Sequence, residues 1–90
     1  MIRINAPRFL EDLFQLAQFG RIPAAEGGGL DRWPFSAAER EARYFISGRA
    51  AAAGLETWTD AAANLSVQLP SPVPGARSLL LGSHLDTVPN

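Results

Sequence analysis

The spacing of apolar residues changes at Gly54, and this change restricts the folds that the chain can adopt. Before Gly54, apolar residues recur about every 3.6 positions, as they do in helices that bury one face. After Gly54, apolar and polar residues alternate with a period of two, which is typical of half-buried strands. The sequence therefore predicts an α/β fold in which two N-terminal helices pack on a small sheet.

Both predicted helices have residues suited to their ends. Asn5 can cap the first helix, and Gly20 follows its apolar stripe. Ser36 and Glu39 form a capping box for the second: the Ser36 hydroxyl accepts from the Glu39 amide, and the Glu39 side chain returns to the Ser36 amide. Gly54 is expected to end this helix in the left-handed conformation. The stripe of the first helix consists of Phe9, Leu10, Leu13, Leu16 and Ala17.

Three strands are predicted beyond Gly54. Residues 55–59 and 65–69 alternate and would form a hairpin around a turn near Ala63 and Asn64. Residues 77–81 end in three leucines, which indicates a buried strand. Residues 21–34, between the helices, include three consecutive glycines and have no periodicity, so a mobile loop is expected there.

Composition restricts the kinds of partner and site. Ninety residues suffice for one small domain, and a net charge of −1 without charge runs gives no basis for binding nucleic acid or membranes. All eight basic residues are arginines, which we interpret as coding bias rather than chemistry. Because cysteine is absent, a metal would have to be held by His, Asp or Glu. The first residues lack the apolar run of a signal peptide, so a cytoplasmic location is expected.

The candidate site lies directly after the leucine run. His84 is the only histidine of the chain, and Asp86 follows two positions later. An extended backbone points both side chains to the same side, so the pair would form half of a metal site. Taken alone, His84 can also be a solvated turn histidine and Asp86 a turn cap. Glu39, with Glu41 and Arg43, is expected on a solvated helix face.

The nine residues 82–90, GSHLDTVPN, give this site a family context. They resemble the first metal-site segment of the zinc-dependent amidohydrolases that include allantoate amidohydrolase and N-carbamoyl-L-amino-acid hydrolase. These enzymes belong to the wider aminoacylase and carboxypeptidase metallohydrolase family. Residues 33–40, 53–56 and 60–65 also resemble family segments, so the resemblance covers nearly the whole chain.

The resemblance implies specific roles for two residues. His84 would be a ligand of one of two divalent metals, zinc or manganese, and Asp86 would be the catalytic carboxylate that orients this histidine. The metals would activate a water that attacks the amide or ureido carbon of a small ureido or N-acyl substrate, such as allantoate or an N-carbamoyl amino acid. At Ala63 the family usually has glycine, and a positive φ at this alanine would cost about 1 kcal/mol.

The resemblance also implies that these residues are part of a larger protein. Residues 1–90 would be the N-terminal portion of a mixed-sheet catalytic domain, without the dimerisation domain through which the full-length parent forms a homodimer. The other metal ligands and the general base would lie beyond Asn90, so the isolated chain is expected to retain no metal and no activity. The alternative is a small non-catalytic α/β module that binds a partner chain through its unpaired sheet edge.

Overall fold

A computed structural model of the chain describes residues 3–88, which form two compact units. The first unit contains the described residues up to 42 and those from 85 onward, and the second contains residues 43–84. Two helices and a two-stranded antiparallel sheet make this an α/β fold, as the change of period predicted. In chain order the elements are α1 (Ala6–Leu16), a 3₁₀ turn (Ala24–Glu26), α2 (Ala37–Ala52), β1 (Glu56–Thr59) and β2 (Leu65–Gln68).

Helix α1 begins where its cap was predicted. The Asn5 side chain accepts a hydrogen bond from the Arg8 amide at 3.2 Å, and proline lies in the first turn. The helix ends at Leu16, and the turn after it reaches Gly20, whose φ is +84°. The apolar face of α1 is exposed by 46–69% and consists of Phe9, Leu10, Leu13 and Phe14.

Helix α2 has half of the predicted capping box. The Ser36 hydroxyl accepts from the Glu39 amide at 3.2 Å, as expected. The Glu39 carboxylate, however, accepts from the Phe35 amide at 3.2 Å, so the predicted bond to the Ser36 amide is wrong. The Ser36 amide donates instead to the Trp33 carbonyl at 3.1 Å, because a turn precedes the helix.

The segment between the helices is a hydrogen-bonded loop. Arg21 and Leu30 form an antiparallel bridge, next to a hydrogen bond of 2.9 Å from the Ile22 amide to the Gly29 carbonyl. The Asp31 amide donates to the Gly20 carbonyl at 2.7 Å. Main-chain hydrogen bonds thus organise a segment whose apolar residues follow no regular period. That this segment is mobile stays a prediction.

The predicted hairpin and its turn are confirmed in the second unit. Gly54 has a φ of +76° after α2, as expected for a left-handed helix end. Asp60 then caps the turn, because its Oδ1 accepts from the amides of Ala62 at 2.9 Å and Asn64 at 3.0 Å. Ala63 has a φ of +67°, which is the condition under which an alanine at this position is strained. The paired residues run from Glu56 opposite Gln68 to Thr59 opposite Leu65.

The predicted third strand, residues 77–81, is not formed. The sheet that the structure describes within residues 3–88 has two strands, β1 and β2. Leu79, Leu80 and Leu81 are 88%, 91% and 83% exposed, so the prediction that this run is buried is also wrong. A strand exists through hydrogen bonds to a neighbouring strand. An apolar run without such a neighbour stays outside the sheet, and the candidate site therefore does not follow a strand.

Buried side chains are few and half of them are charged. Among residues 3–88, the buried apolar side chains are Ala42 and Ala50, both on α2. Arg32 and Glu39 are each only 5% exposed. No helix in this part of the chain is long and apolar enough to cross a membrane. The first unit is therefore organised around buried charge more than around apolar packing.

Candidate functional site

The two residues predicted for the site fall in different units. His84 is exposed and is the last residue of the second unit, whereas Asp86 is half-buried and belongs to the first. That both side chains face one side stays a prediction. The last two residues of the family-like segment, Pro89 and Asn90, lie outside the described part of the chain.

The backbone on both sides of Asp86 is bound to Arg32. Before Asp86, the Leu85 carbonyl accepts a hydrogen bond from Arg32 Nε at 2.7 Å. After it, the Thr87 amide donates to the Arg32 carbonyl at 2.7 Å, and the Thr87 hydroxyl accepts from the Arg32 amide at 3.0 Å. These contacts form an antiparallel bridge between Arg32 and Thr87. Asp86 is therefore held through the peptide groups on either side of it.

The same guanidinium binds the end of α1. Arg32 Nη1 donates to the carbonyls of Leu16 and Phe19, at 2.7 and 3.0 Å. Carbonyls at a helix C-terminus lack partners within the helix and carry partial negative charge, so a cation is favourable there. One buried arginine thus makes charge-assisted hydrogen bonds to three main-chain carbonyls, and it joins the end of α1 to the segment that contains Asp86.

Glu39 contributes charge to this cluster. Burial lowers the pKa of the Arg32 guanidinium, and the negative charge of Glu39 acts in the opposite direction. The prediction of a solvated face is wrong for Glu39, since its carboxylate is buried and accepts from the Phe35 amide. At Arg32 the arginine has a structural use, because a lysine lacks the planar fork that reaches three carbonyls.

The sequence alone did not distinguish Arg32 from the other arginines. Its side-chain acceptors lie 13, 16 and 53 positions away along the chain. It also falls in a loop, where no hydrophobic period distinguishes a buried position from an exposed one. A buried arginine in such a place is recognised only when its distant partners are known.

The described residues do not by themselves fit a metal centre. Within residues 3–88, no group of three or more His, Cys, Asp or Glu side chains is arranged to hold a metal ion. A catalytic zinc site usually has three protein ligands in addition to water. His84 and Asp86 offer one imidazole and one carboxylate. These are fewer ligands than one such metal site needs, and fewer still than two sites need.

Comparison with known proteins identifies two similar enzymes. The chain is 37% identical over 87 residues to an N-carbamoyl-L-amino acid amidohydrolase of Geobacillus stearothermophilus, a match that covers 97% of this chain and 20% of the relative. It is 32% identical, with the same coverage, to an N-carbamoyl-L-amino-acid amidohydrolase of Rhizobium meliloti. No family model matches the chain. The chain is thus similar along almost its whole length to amidohydrolases of which it spans about a fifth.

Proposed function

We propose that residues 1–90 are the N-terminal portion of the catalytic domain of a hydrolase that cleaves a carbon–nitrogen bond in N-carbamoyl amino acids. The similarity over 87 of the 90 residues supports this proposal most strongly. At most three residues lie outside the match, so both His84 and Asp86 are inside it. Because both relatives are named for N-carbamoyl amino acids, we favour this substrate class over allantoate.

His84 and Asp86 have distinct roles in this proposal. The exposed His84 ring would offer a nitrogen to a divalent metal, zinc or manganese. Asp86, whose flanking peptides are fixed by Arg32, would orient the imidazole and raise its basicity. The other ligands of a two-metal centre, and the general base, would come from residues beyond these ninety. The whole enzyme would be a homodimer.

The first test is hydrolysis by the intact protein that the complete reading frame encodes. We expect the release of ammonia from N-carbamoyl amino acids, its loss on chelation, and its recovery when zinc or manganese is added. Allantoate serves as the matched comparison substrate and is expected to react more slowly. No hydrolysis by the intact protein, together with stable binding of a partner chain at the β1–β2 edge, would favour the non-catalytic module instead.

A second test separates the chain from the whole enzyme. We expect the 90-residue chain alone to be inactive, because one imidazole and one carboxylate cannot hold two metals. Chelator-sensitive turnover by this chain would contradict the proposal. The downstream nucleotide sequence provides an independent check: a segment resembling Gly-Gly-x-x-Asp-Gly is expected there.

A further inference from the structure

We infer that Arg32 is a positioning residue for Asp86, and this inference rests on the function proposed above. Arg32 is 5% exposed, and its side chain and its main chain both bind the segment that contains Asp86. It does not need to touch a substrate to influence the reaction. Its effect would pass through the backbone conformation of Leu85 and Thr87 to the Asp86 carboxylate.

The arrangement fixes Asp86 more closely than a single contact would. Arg32 Nε holds the carbonyl of the peptide that enters Asp86, at 2.7 Å. The peptide that leaves Asp86 is held through the Thr87 amide, at 2.7 Å to the Arg32 carbonyl. With both peptide planes held, the backbone angles of Asp86 have little freedom, and its Cα–Cβ bond keeps one direction.

The rest of the guanidinium explains why Arg32 itself stays in place. Its Nη1 donates to the carbonyls of Leu16, the last residue of α1, and of Phe19, in the turn that follows. Glu39, buried in the same unit, supplies the compensating negative charge. Because a guanidinium is a rigid planar fork, a displacement of the Leu85 carbonyl would also misalign the bonds to the Leu16 and Phe19 carbonyls. Through Arg32, the segment that contains Asp86 is thus connected by hydrogen bonds to the end of helix α1.

The decisive variant is Arg32→Lys in the intact protein. Lysine keeps the positive charge but presents one compact ammonium group instead of the fork, so it cannot serve all three carbonyls. The matched control is Arg21→Lys. Arg21 lies in the same loop but is exposed, and its side chain donates to Gln18 Oε1 at 3.3 Å.

Hydrogen–deuterium exchange followed by mass spectrometry reports the positioning directly. In Arg32→Lys we expect peptides covering residues 85–88 to exchange at least tenfold faster, while peptides covering the β1–β2 hairpin keep their rates. Arg21→Lys should change neither. Unchanged exchange at 85–88, or equal acceleration in the hairpin, would overturn the inference, the second because it would indicate general destabilisation.

Thr87 gives a second variant that leaves the buried charge in place. Thr87→Val removes the hydroxyl that accepts from the Arg32 amide, whereas Thr87→Ser keeps it. We expect faster exchange at 85–88 in Thr87→Val and recovery of most protection in Thr87→Ser. Equal protection in the two variants would contradict a role for the hydrogen bond from the Arg32 amide to the Thr87 hydroxyl in holding this segment.

Steady-state kinetics connect the geometry to the reaction. In Arg32→Lys we expect kcat for an N-carbamoyl amino acid to fall at least tenfold while KM stays within twofold, because substrate contacts are not altered. Faster exchange with an unchanged kcat would overturn the positioning role. If the unaltered intact protein hydrolyses no N-carbamoyl amino acid, the proposed function fails, and the exchange data still decide whether Arg32 fixes the segment.

Discussion

Replacing Gly20 by alanine would test the packing that brings the Arg32 loop against the end of α1. Gly20 has a φ of +84°, and a Cβ added there would lie 2.5 Å from the carbonyl oxygen of Asp31. Real Cβ atoms do not approach a backbone oxygen so closely, so the Asp31 carbonyl would have to move. Asp31 immediately precedes Arg32, and its amide donates to the Gly20 carbonyl at 2.7 Å. The disturbance would therefore reach the buried arginine.

Gly28→Ala is the matched control for this substitution. Gly28 has a φ of +72°, but a Cβ there would meet nothing within 4 Å. Both variants place alanine at positive φ, which costs about 1–2 kcal/mol, offset by about 0.4–1 kcal/mol from the smaller entropy of the unfolded chain. Only Gly20→Ala adds the steric conflict, which costs about 1–3 kcal/mol by analogy with overpacking. The difference in the free energy of unfolding between the two variants isolates this contact.

Two measurements check the expected difference. For a domain of this size, 1 kcal/mol lowers the midpoint of thermal unfolding by about 4–8 °C, so circular dichroism should show Gly20→Ala melting at least about 4 °C below Gly28→Ala. The Asp31 amide should also exchange about 5- to 150-fold faster in Gly20→Ala than in Gly28→Ala. Equal midpoints and equal exchange rates would refute the close approach of Gly20 to Asp31.

Four further predictions follow from the hairpin, the site and the exposed surface. Ala63→Gly should stabilise the hairpin by up to about 1 kcal/mol because it relieves the positive φ, whereas the control Ala62→Gly should not; amide exchange in β1 and β2 measures both. Hydrogen bonds from the backbone and side chain of Asn64 lower the pKa of Asp60. The stability that the ionised carboxylate provides should therefore be lost as pH falls below about 4. A hairpin that amide exchange shows to be equally stable at pH 2 and pH 6 would contradict this. In the intact protein, His84→Ala should remove metal and nearly all activity, whereas Asp86→Asn should keep some metal and lose most of the rate. Equal metal content and normal turnover in both variants would show that His84 is not a metal ligand and that Asp86 does not orient it. Because the apolar face of α1 and the leucine run are exposed, the 90-residue chain should associate in analytical ultracentrifugation, and a monomer that melts cooperatively above about 60 °C would count against this.

Features that depend on neighbouring residues were predictable from the sequence. The Asn5 cap, the left-handed Gly54 and the turn near Ala63 and Asn64 each involve partners within a few positions. Ala63, which stands where the resembling sequences usually have glycine, has the positive φ at which an alanine is strained. In these cases the local hydrogen-bonding capacity of the side chain, or the lack of a Cβ at glycine, determines the conformation.

Features that depend on distant partners were not predictable. The leucines at 79–81 resemble a buried strand in sequence, but apolar character alone supplies no hydrogen-bonding neighbour, and they are exposed. One local contact was also predicted at the wrong atom: the Glu39 side chain bonds to the Phe35 amide, four positions away, because the turn before α2 already uses the Ser36 amide. The local pattern named the right kind of contact there and the wrong atom.

The candidate site shows the same division between local chemistry and distant geometry. His84 and Asp86 were identifiable as candidates because imidazole and carboxylate groups are recognisable as ligands. The peptides that flank Asp86, however, are held by Arg32, which lies 53 positions before Leu85 and 55 before Thr87. Buried apolar packing offers little to fix the position of Asp86 in the first unit. Among the described residues of that unit, the one buried apolar side chain is that of Ala42. Apolar contacts are also non-directional, whereas charge-assisted hydrogen bonds specify both distance and angle. If Asp86 orients His84 as proposed, its carboxylate needs that directional control, and a buried arginine bound to three carbonyls supplies it without a large core.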